Sequence, residues 1–221
     1  PEAWIARPSP ARCQLREMPI NTTTVDVAAF ASCSEPASES AARLATESWD
    51  TAFRTEGFAQ IVGHGVPFEL VAELRTAAGH FFAQPIEEKL NHYRPATTKS
   101  LNGGSYGPLW AGRAHGGHDD PLEGYTFHRP HGGWLRLSEP GHAHPPQLAG
   151  VAARYADALE RVMHTLHRLS AAALGLRPDF FDSPAGTDPC SLLVISNYPP
   201  LTDPQILQRE DGKPRYRAHS D

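Results

Sequence analysis

Three stretches of the chain carry apolar residues at helical spacing, and residues that favour helix ends bound each stretch. The first runs from Ser38 to Gly57, the second begins near Pro67, and the third extends from Pro146 to Gly175. Proline suits the first turn of a helix, and glycine suits the position just after the last turn. The pattern therefore predicts three helices. Their apolar positions are Ala42, Ala45, Trp49, Ala52 and Phe53; Val71, Leu74, Ala78, Phe81 and Phe82; and Leu148, Val151, Ala152, Tyr155, Leu159, Val162, Leu166, Leu169 and Ala173.

Two segments nearer the C-terminal end of the sequence predict β-strands. Ser191–Tyr198 is a short, apolar, β-branched run that stops at two prolines, which favours a buried strand. Turn and breaker residues fill 201–214, and 215–221 then resumes as a second predicted strand. Residues two apart project to the same face of a strand, so the side chains of His219 and Asp221 would point together. This donor pair suggests two thirds of a 2-His-1-carboxylate iron site.

A His-x-Asp pattern alone is weak evidence for a metal site. The chain contains a second one, His118-Asp119-Asp120, in a stretch where neighbouring glycines leave the backbone too free to fix the geometry of two side chains. The sequence around the pattern must therefore decide between the two.

That surrounding sequence resembles the Fe(II)/2-oxoglutarate-dependent oxygenases of the isopenicillin N synthase-like family. These enzymes have an apolar strand ending in Tyr-Pro-Pro, a variable loop, and a strand ending in His-x-Asp, as in residues 191–221. Gly57–Pro67 is similar to the family's "GFF-x-V-x-NHGV" segment, and Phe81–Lys89 to its "FF-x-LP-x-EEK" segment. Val25–Val27 resembles the opening strand, so the resemblance covers about residues 18–221.

The resemblance implies an α+β fold in which helices brace a distorted double-stranded β-helix, or jelly-roll. It implies three regions: an unstructured lead-in at 1–17, an N-terminal oxygenase region at 18–135, and 136–221 with the long bracing helix and the first part of the iron-binding jelly-roll. Met18 is then a candidate natural start. The second histidine and the Arg-x-Ser pair of the family are expected beyond Asp221, so the chain is expected to be a fragment truncated before the second half of the barrel.

The same resemblance implies a non-haem iron dioxygenase that hydroxylates or desaturates a small-molecule metabolite, with Fe(II), 2-oxoglutarate and O2 as cofactor and cosubstrates. His219 and Asp221 would bind the metal, with no catalytic residue beyond the ligands. Tyr198 and Ser196 align with an Asn-x-Tyr-Pro element near the 2-oxoglutarate, where Ser196 replaces the asparagine. Tyr106 and Glu123 fall in segments that resemble those near the substrate pocket.

Two alternatives remain open from the sequence. The first is an oxidase that resembles isopenicillin N synthase, which takes all its electrons from the substrate and uses no 2-oxo acid. The second is a non-catalytic, truncated relative. The 221-residue chain alone is expected to be inactive because one ligand and half of the barrel are missing.

Other polar clusters favour structural roles. His64 lies between glycines and indicates a tight turn, and Glu87-Glu88-Lys89 after Pro85 indicates a solvated first helical turn. The histidine-rich stretch 115–144 contains many Gly and Pro residues and predicts a polar loop, without the pairing that a structural zinc site requires. His164 and His167 are expected to be solvated or hydrogen-bonded, because leucines occupy the buried side of their helix.

Composition excludes several classes of protein. A net charge of −5 and the absence of a basic block argue against a nucleic-acid surface. The 3 cysteines are odd in number and widely spaced, so they predict no disulfide framework, and the cytoplasm is the expected location. No apolar run approaches the length of a membrane helix. The expected partner is a small-molecule substrate, with the oligomeric state left open.

Overall fold

The computed structural model describes residues 22–31, 38–93, 105–107, 123–139, 144–182 and 191–198. Within these ranges the chain mixes helices and strands, which confirms the predicted α+β class. The helices are α1 (Ala28–Ala31), α2 (Glu39–Thr55), α3 (Phe68–Phe82), α4 (Ile86–Leu90), a 3-10 helix (Trp134–Ser138) and α5 (Pro146–Ala173). The strands are β1 (Thr24–Asp26), β2 (Gln60–Val62), β3 (Ser105–Gly107), β4 (Glu123–His128) and β5 (Leu192–Asn197).

The three predicted helices are confirmed, with the predicted residues at their ends. Ser38 caps α2, since its hydroxyl accepts a hydrogen bond from the Ala41 N–H at 3.2 Å, and Gly57 follows the helix at a φ of 79°. A side-chain acceptor at the N-cap satisfies one of the first free N–H groups of a helix. Helix α3 begins directly after Pro67. Helix α5 begins at Pro146, where a missing N–H costs nothing.

The strands form two sheets. Strands β1 and β2 pair in parallel, so the predicted opening strand lies beside the segment that precedes α3. Strands β3, β4 and β5 form an antiparallel sheet with β4 in the middle. In this sheet Glu123 pairs with Asn197 at one end of β4, and His128 pairs with Leu192 at the other.

The larger core lies where β4 meets α3 and α5. Tyr125 and Phe127 alternate with less buried residues along β4 and are fully buried, with ring centroids 4.6 Å apart. Phe81 of α3 packs edge-on against Tyr125 at 5.2 Å, and Leu148 begins the buried face of α5. The inward residues of β4, which alternate along the strand, thus pack against the apolar faces of α3 and α5, whose residues recur at helical spacing.

A second, smaller core joins the N-terminal sheet to the long helix. Val25 and Val27 pack with Ala45 of α2 and Leu169 of α5. The Trp49 indole N–H donates to the Ser170 hydroxyl at 3.2 Å, which satisfies the one polar atom that this large side chain carries. Helix α5 therefore takes part in both cores.

The prediction that Ser191–Tyr198 forms a strand is confirmed, but the prediction that it is buried holds for one face only. Leu193 and Ile195 pack against the larger core. Leu192 and Val194, on the other face, are 56% and 57% exposed. An apolar run without polar alternation does not show whether a strand is covered on one face or two.

The prediction that 115–144 is mostly a polar loop is wrong at residues 123–128 and 134–138, which form a strand and a 3-10 helix. Residues 123–128 form the central strand β4, and His144 is buried against the ring of Phe127. The many glycines and prolines of the stretch favour a loop prediction. The strand is short, and its inward residues Tyr125 and Phe127 belong to the larger core.

The predicted tight turn at His64 is confirmed. Gly63 and Gly65 adopt φ angles of 71° and 74°, a conformation that favours glycine. The His64 ring nitrogen Nδ1 accepts a hydrogen bond from the Val66 N–H at 3.1 Å, so this side chain stabilises the turn.

The two glycines of this turn provide a matched pair of substitutions. Both have positive φ, but a Cβ at Gly63 would lie 2.3 Å from Asp26 Oδ1 and 3.0 Å from Ala28 Cβ, whereas a Cβ at Gly65 meets nothing within 4 Å. We expect Gly63→Ala to lower the free energy of unfolding by roughly 1–2 kcal/mol more than Gly65→Ala, because only Gly63 adds a clash to the conformational strain. Urea unfolding of the two variants checks this, and equal losses would contradict it.

Candidate functional site

The structure describes four of the six predicted site residues: Tyr106, Glu123, Ser196 and Tyr198. His219 and Asp221 lie outside the described residues, so the predicted metal pair stays a prediction. Ser196 lies on the outer face of β5, on the same side as Leu192 and Val194, and Tyr198 follows the strand at 45% exposure. Within the described ranges, no three His, Cys, Asp or Glu side chains are arranged to hold a metal ion.

Tyr106 and Glu123, the two predicted pocket residues, are brought together in a buried polar network. The Glu123 carboxylate is 5% exposed, and its Oε2 accepts hydrogen bonds from the Tyr106 hydroxyl at 2.5 Å and from Lys89 Nζ at 2.8 Å. Its other oxygen, Oε1, accepts from the Asn197 side-chain amide at 2.8 Å. We call these four residues the Glu123 network. Their polar atoms bond to one another, and their place near a substrate pocket stays a prediction.

Lys89 corrects the prediction that the Glu87-Glu88-Lys89 turn is solvated. Glu87 and Glu88 are exposed, but Lys89 is 7% exposed and donates both to Glu123 and to the Phe82 carbonyl oxygen at 3.0 Å. Its ammonium also lies 5.6 Å from the centre of the Tyr106 ring. A buried lysine is tolerated only when paired and hydrogen-bonded, and here the carboxylate of Glu123 provides that partner.

The network links elements that are distant in sequence. Lys89 belongs to α4, Tyr106 to β3, Glu123 to β4 and Asn197 to the last position of β5. Glu123 and Asn197 are also directly paired across the sheet, so backbone register and side-chain hydrogen bond support each other. The short strands of this sheet are thereby tied at one end to the helical region.

The environment of Tyr106 raises the pKa of its phenol. Burial is the largest cause, and the hydrogen bond to the Glu123 carboxylate and the negative charge of that group act in the same direction. Each of the three disfavours the phenolate. Tyr106 therefore stays a hydrogen-bond donor to Glu123 at pH values where an exposed tyrosine would ionise.

This raised pKa predicts a loss of stability in alkali. Below the unfolded-state pKa of about 10 both states hold the proton; above it the unfolded chain releases the proton first, so the free energy of unfolding falls as pH rises. Tyr106→Phe lacks this titration. We expect wild type to be more stable than Tyr106→Phe at pH 8 and the gap to narrow at pH 11. Urea unfolding at both pH values measures the gap, and a constant or widening gap would refute the assignment.

Three other described histidines lie in the larger core or on α5. His144 Nδ1 lies 3.2 Å from the Tyr125 hydroxyl in the larger core. His164 is exposed on α5, and His167 contacts the Phe181 ring at 5.8 Å. The expectation of solvated or hydrogen-bonded side chains is met by His164, which is exposed. It is wrong for His167, whose buried Nδ1 has no hydrogen-bond partner among the described residues and whose ring packs against Phe181.

Sequence reasoning missed Lys89 and Asn197 as members of the site. The signal was present in the strand alternation, which places Asn197 on the same face as Leu193 and Ile195 and places Glu123 on the same face as Tyr125. A polar residue on an apolar face requires a buried partner. That rule predicts partners for both residues, but it does not say which side chains of other elements supply them.

Comparison with known proteins shows which family this chain belongs to. Residues 24–145 match the family described as non-haem dioxygenase in morphine synthesis, N-terminal. The chain is 30% identical over 154 residues to a flavonol synthase/flavanone 3-hydroxylase of Eustoma exaltatum subsp. russellianum, covering 68% of this chain and 44% of that protein. It is 30% identical over 214 residues to a validamycin A dioxygenase of Streptomyces hygroscopicus subsp. limoneus, covering 89% and 54%.

Solved structures show the same fold. A 2OG-Fe(II) oxygenase family protein from Caulobacter crescentus superposes with a TM-score of 0.61 at 22% identity, over 81% of this chain and 57% of that chain. A dioxygenase for auxin oxidation in rice superposes with a TM-score of 0.52 at 19% identity, over 80% and 51%. The chain spans about half the length of the curated relatives it matches.

No helix among the described residues has both the length and the apolar character needed to cross a membrane.

Proposed function

Since this chain belongs to the non-haem dioxygenase family that uses Fe(II) and 2-oxoglutarate, we propose that the whole protein oxidises a small-molecule metabolite by hydroxylation or desaturation. Its relatives include a flavonol synthase/flavanone 3-hydroxylase and a validamycin A dioxygenase, both named for small molecules. The observation that carries the proposal is β5, which presents Ser196 and Tyr198 on an open face shortly before the segment that holds His219 and Asp221.

We further propose that residues 199–221 and a continuation beyond Asp221 complete the barrel over this face. Support comes from the exposed Leu192 and Val194, which are apolar side chains on one side of a strand. In a complete domain, the apolar face of a strand is normally packed against another element. The jelly-roll architecture, the three regions inferred from the sequence and the cytoplasmic location belong to this proposal.

The donor chemistry of the predicted ligands fits iron(II). Imidazole nitrogen and carboxylate oxygen are the donor types of the 2-His-1-carboxylate site, and His219 and Asp221 supply one of each. When bound, iron with 2-oxoglutarate and O2 supplies the oxidation of a C–H bond. The residues of the chain would bind and orient the metal and the cosubstrate. His219 and Asp221 would hold the metal, Ser196 and Tyr198 would line the position of the cosubstrate, and the core behind β5 would keep that strand in place.

Turnover of 2-oxoglutarate tests this proposal. The purified full-length protein, supplied with Fe(II), O2 and a panel of small phenolic and cyclitol compounds, is expected to convert 2-oxoglutarate to succinate. Removal of Fe(II) or addition of a chelator should stop the reaction. Oxygen consumption that depends on substrate but not on 2-oxoglutarate would instead indicate the oxidase alternative. Failure to bind either Fe(II) or 2-oxoglutarate would indicate a non-catalytic relative.

A further inference from the structure

The end of β5 is held by a side-chain anchor on its packed face. Asn197 is the last residue of the strand, and its neighbours Ser196 and Tyr198 lie on the opposite, open face. The Asn197 amide donates to Glu123 Oε1 at 2.8 Å. Alternation along a strand means that fixing one residue also fixes the direction of the residues on either side.

The acceptor of that anchor is itself immobilised. Glu123 receives two hydrogen bonds on Oε2, from Lys89 and Tyr106, and all three side chains are buried. Lys89 is held in turn by the Phe82 carbonyl oxygen at the end of α3. Charge-assisted hydrogen bonds in a desolvated site are the stronger and better-oriented kind. The anchor point therefore belongs to the rigid core and not to a loop.

Strand β5 depends on this anchor more than a central strand would. Among the described residues it pairs only with β4, and its outer face is exposed at Leu192 and Val194. The opposite end of the same strand pair has its own support, because the Arg129 N–H donates to the Ser191 carbonyl at 2.9 Å and the Arg129 guanidinium pairs with Glu160 of α5 at 3.2 Å. A charge pair shielded from solvent thus supports each end of the β4–β5 ladder.

We propose that Asn197 and Glu123 are positioning residues for 2-oxoglutarate: the Glu123 network holds the end of β5 so that Ser196 and Tyr198 present their hydroxyl groups to the cosubstrate in a fixed direction. The inference rests on the proposed function and adds to it a role for four residues of the N-terminal region and β5. At metal sites, polar groups that hydrogen-bond to a ligating residue set its orientation, and losing one typically costs about 10- to 100-fold in metal affinity or activity. We expect an effect of the same order for groups that orient Ser196 and Tyr198.

The test compares the two ends of the ladder in the full-length protein. Asn197→Ala removes the anchor beside Ser196, and Asn197→Thr removes it while keeping a residue that favours strands. Glu160→Ala is the matched control, because it breaks a partly buried ion pair of the same sheet at the far end. For each variant, urea unfolding gives stability, and anaerobic titration of the Fe(II)-loaded protein with 2-oxoglutarate gives the dissociation constant.

Both Asn197 variants are expected to bind 2-oxoglutarate about tenfold or more weakly, with a raised KM for 2-oxoglutarate and nearly unchanged kcat at saturation. Glu160→Ala is expected to lose stability without a change in that dissociation constant. Wild-type affinity in the two Asn197 variants, or an equal loss in Glu160→Ala, would overturn the positioning role alone. If the wild type itself binds no 2-oxoglutarate, the proposed function fails, and the positioning role fails with it.

Discussion

Glu123→Ala is expected to lower the free energy of unfolding by about 3–5 kcal/mol, the largest effect on stability that the structure predicts. The substitution removes a buried carboxylate that accepts hydrogen bonds from Lys89, Tyr106 and Asn197. The ammonium of Lys89 is then left in a site only 7% exposed, with the Phe82 carbonyl oxygen still accepting from it. An uncompensated buried charge costs more than the ion pair itself contributes. Urea unfolding monitored by circular dichroism measures the loss.

Two controls make this prediction specific. Glu87→Ala removes an exposed carboxylate two residues from Lys89 and should change stability by no more than about 0.5 kcal/mol. The double variant Lys89→Met/Glu123→Leu replaces both charges by apolar groups and should recover much of the loss. A Glu123→Ala protein as stable as Glu87→Ala would show that the buried ion pair does not exist as described.

His219→Ala is expected to lower 2-oxoglutarate turnover of the full-length protein by more than about a hundredfold. Losing a residue that supports a metal ligand already costs about 10- to 100-fold, and losing the ligand itself should cost more. Alanine has no donor atom, so the bound Fe(II) fraction at a fixed metal concentration should fall with the activity. Succinate formation and metal content of the same samples provide the two measurements.

Ser220→Ala is the matched control for His219→Ala. In the strand predicted for 215–221 its side chain would point away from His219 and Asp221, so turnover should stay within about twofold of wild type. A loss equal to that of His219→Ala would show that the segment matters for folding and not for metal binding. Full turnover in His219→Ala would remove this residue from the iron site.

The helices of this protein are predicted well by local rules. Ser38, Pro67 and Pro146 mark where α2, α3 and α5 begin because capping and proline geometry act within one turn. The turn at Gly63 is equally local, since positive φ is a property of one residue. These signals depend only on neighbours along the chain, so the sequence alone is enough to find them.

The Glu123 network could not be predicted because its hydrogen bonds join residues far apart in sequence. Lys89 and Glu123 are separated by 34 positions, and Asn197 lies a further 74 positions away. Charged residues next to a helix start usually face solvent, so the sequence favours an exposed Lys89. Its burial follows from the fold that brings β4 beside α4. Similarly, β4 itself is short and lies in a stretch rich in turn residues, where local composition outweighs the alternation of Tyr125 and Phe127.

The family resemblance predicted the type of site, which local rules could not predict. The comparisons test some parts of that prediction and not others. The motifs at Gly57–Pro67 and Phe81–Lys89 lie within the matched residues 24–145, and the membership they suggest is confirmed. His219 and Asp221 lie outside both that match and the described residues, so their role as ligands stays a prediction.

The most direct test of the account is the absorption spectrum of the full-length protein under argon with Fe(II), recorded before and after addition of 2-oxoglutarate. We predict a visible charge-transfer band that appears only when metal and 2-oxoglutarate are both present, and that His219→Ala abolishes while Ser220→Ala retains it. A band of wild-type intensity in His219→Ala, or no band in the wild-type protein, would contradict the claim that this chain contributes to an Fe(II)/2-oxoglutarate site.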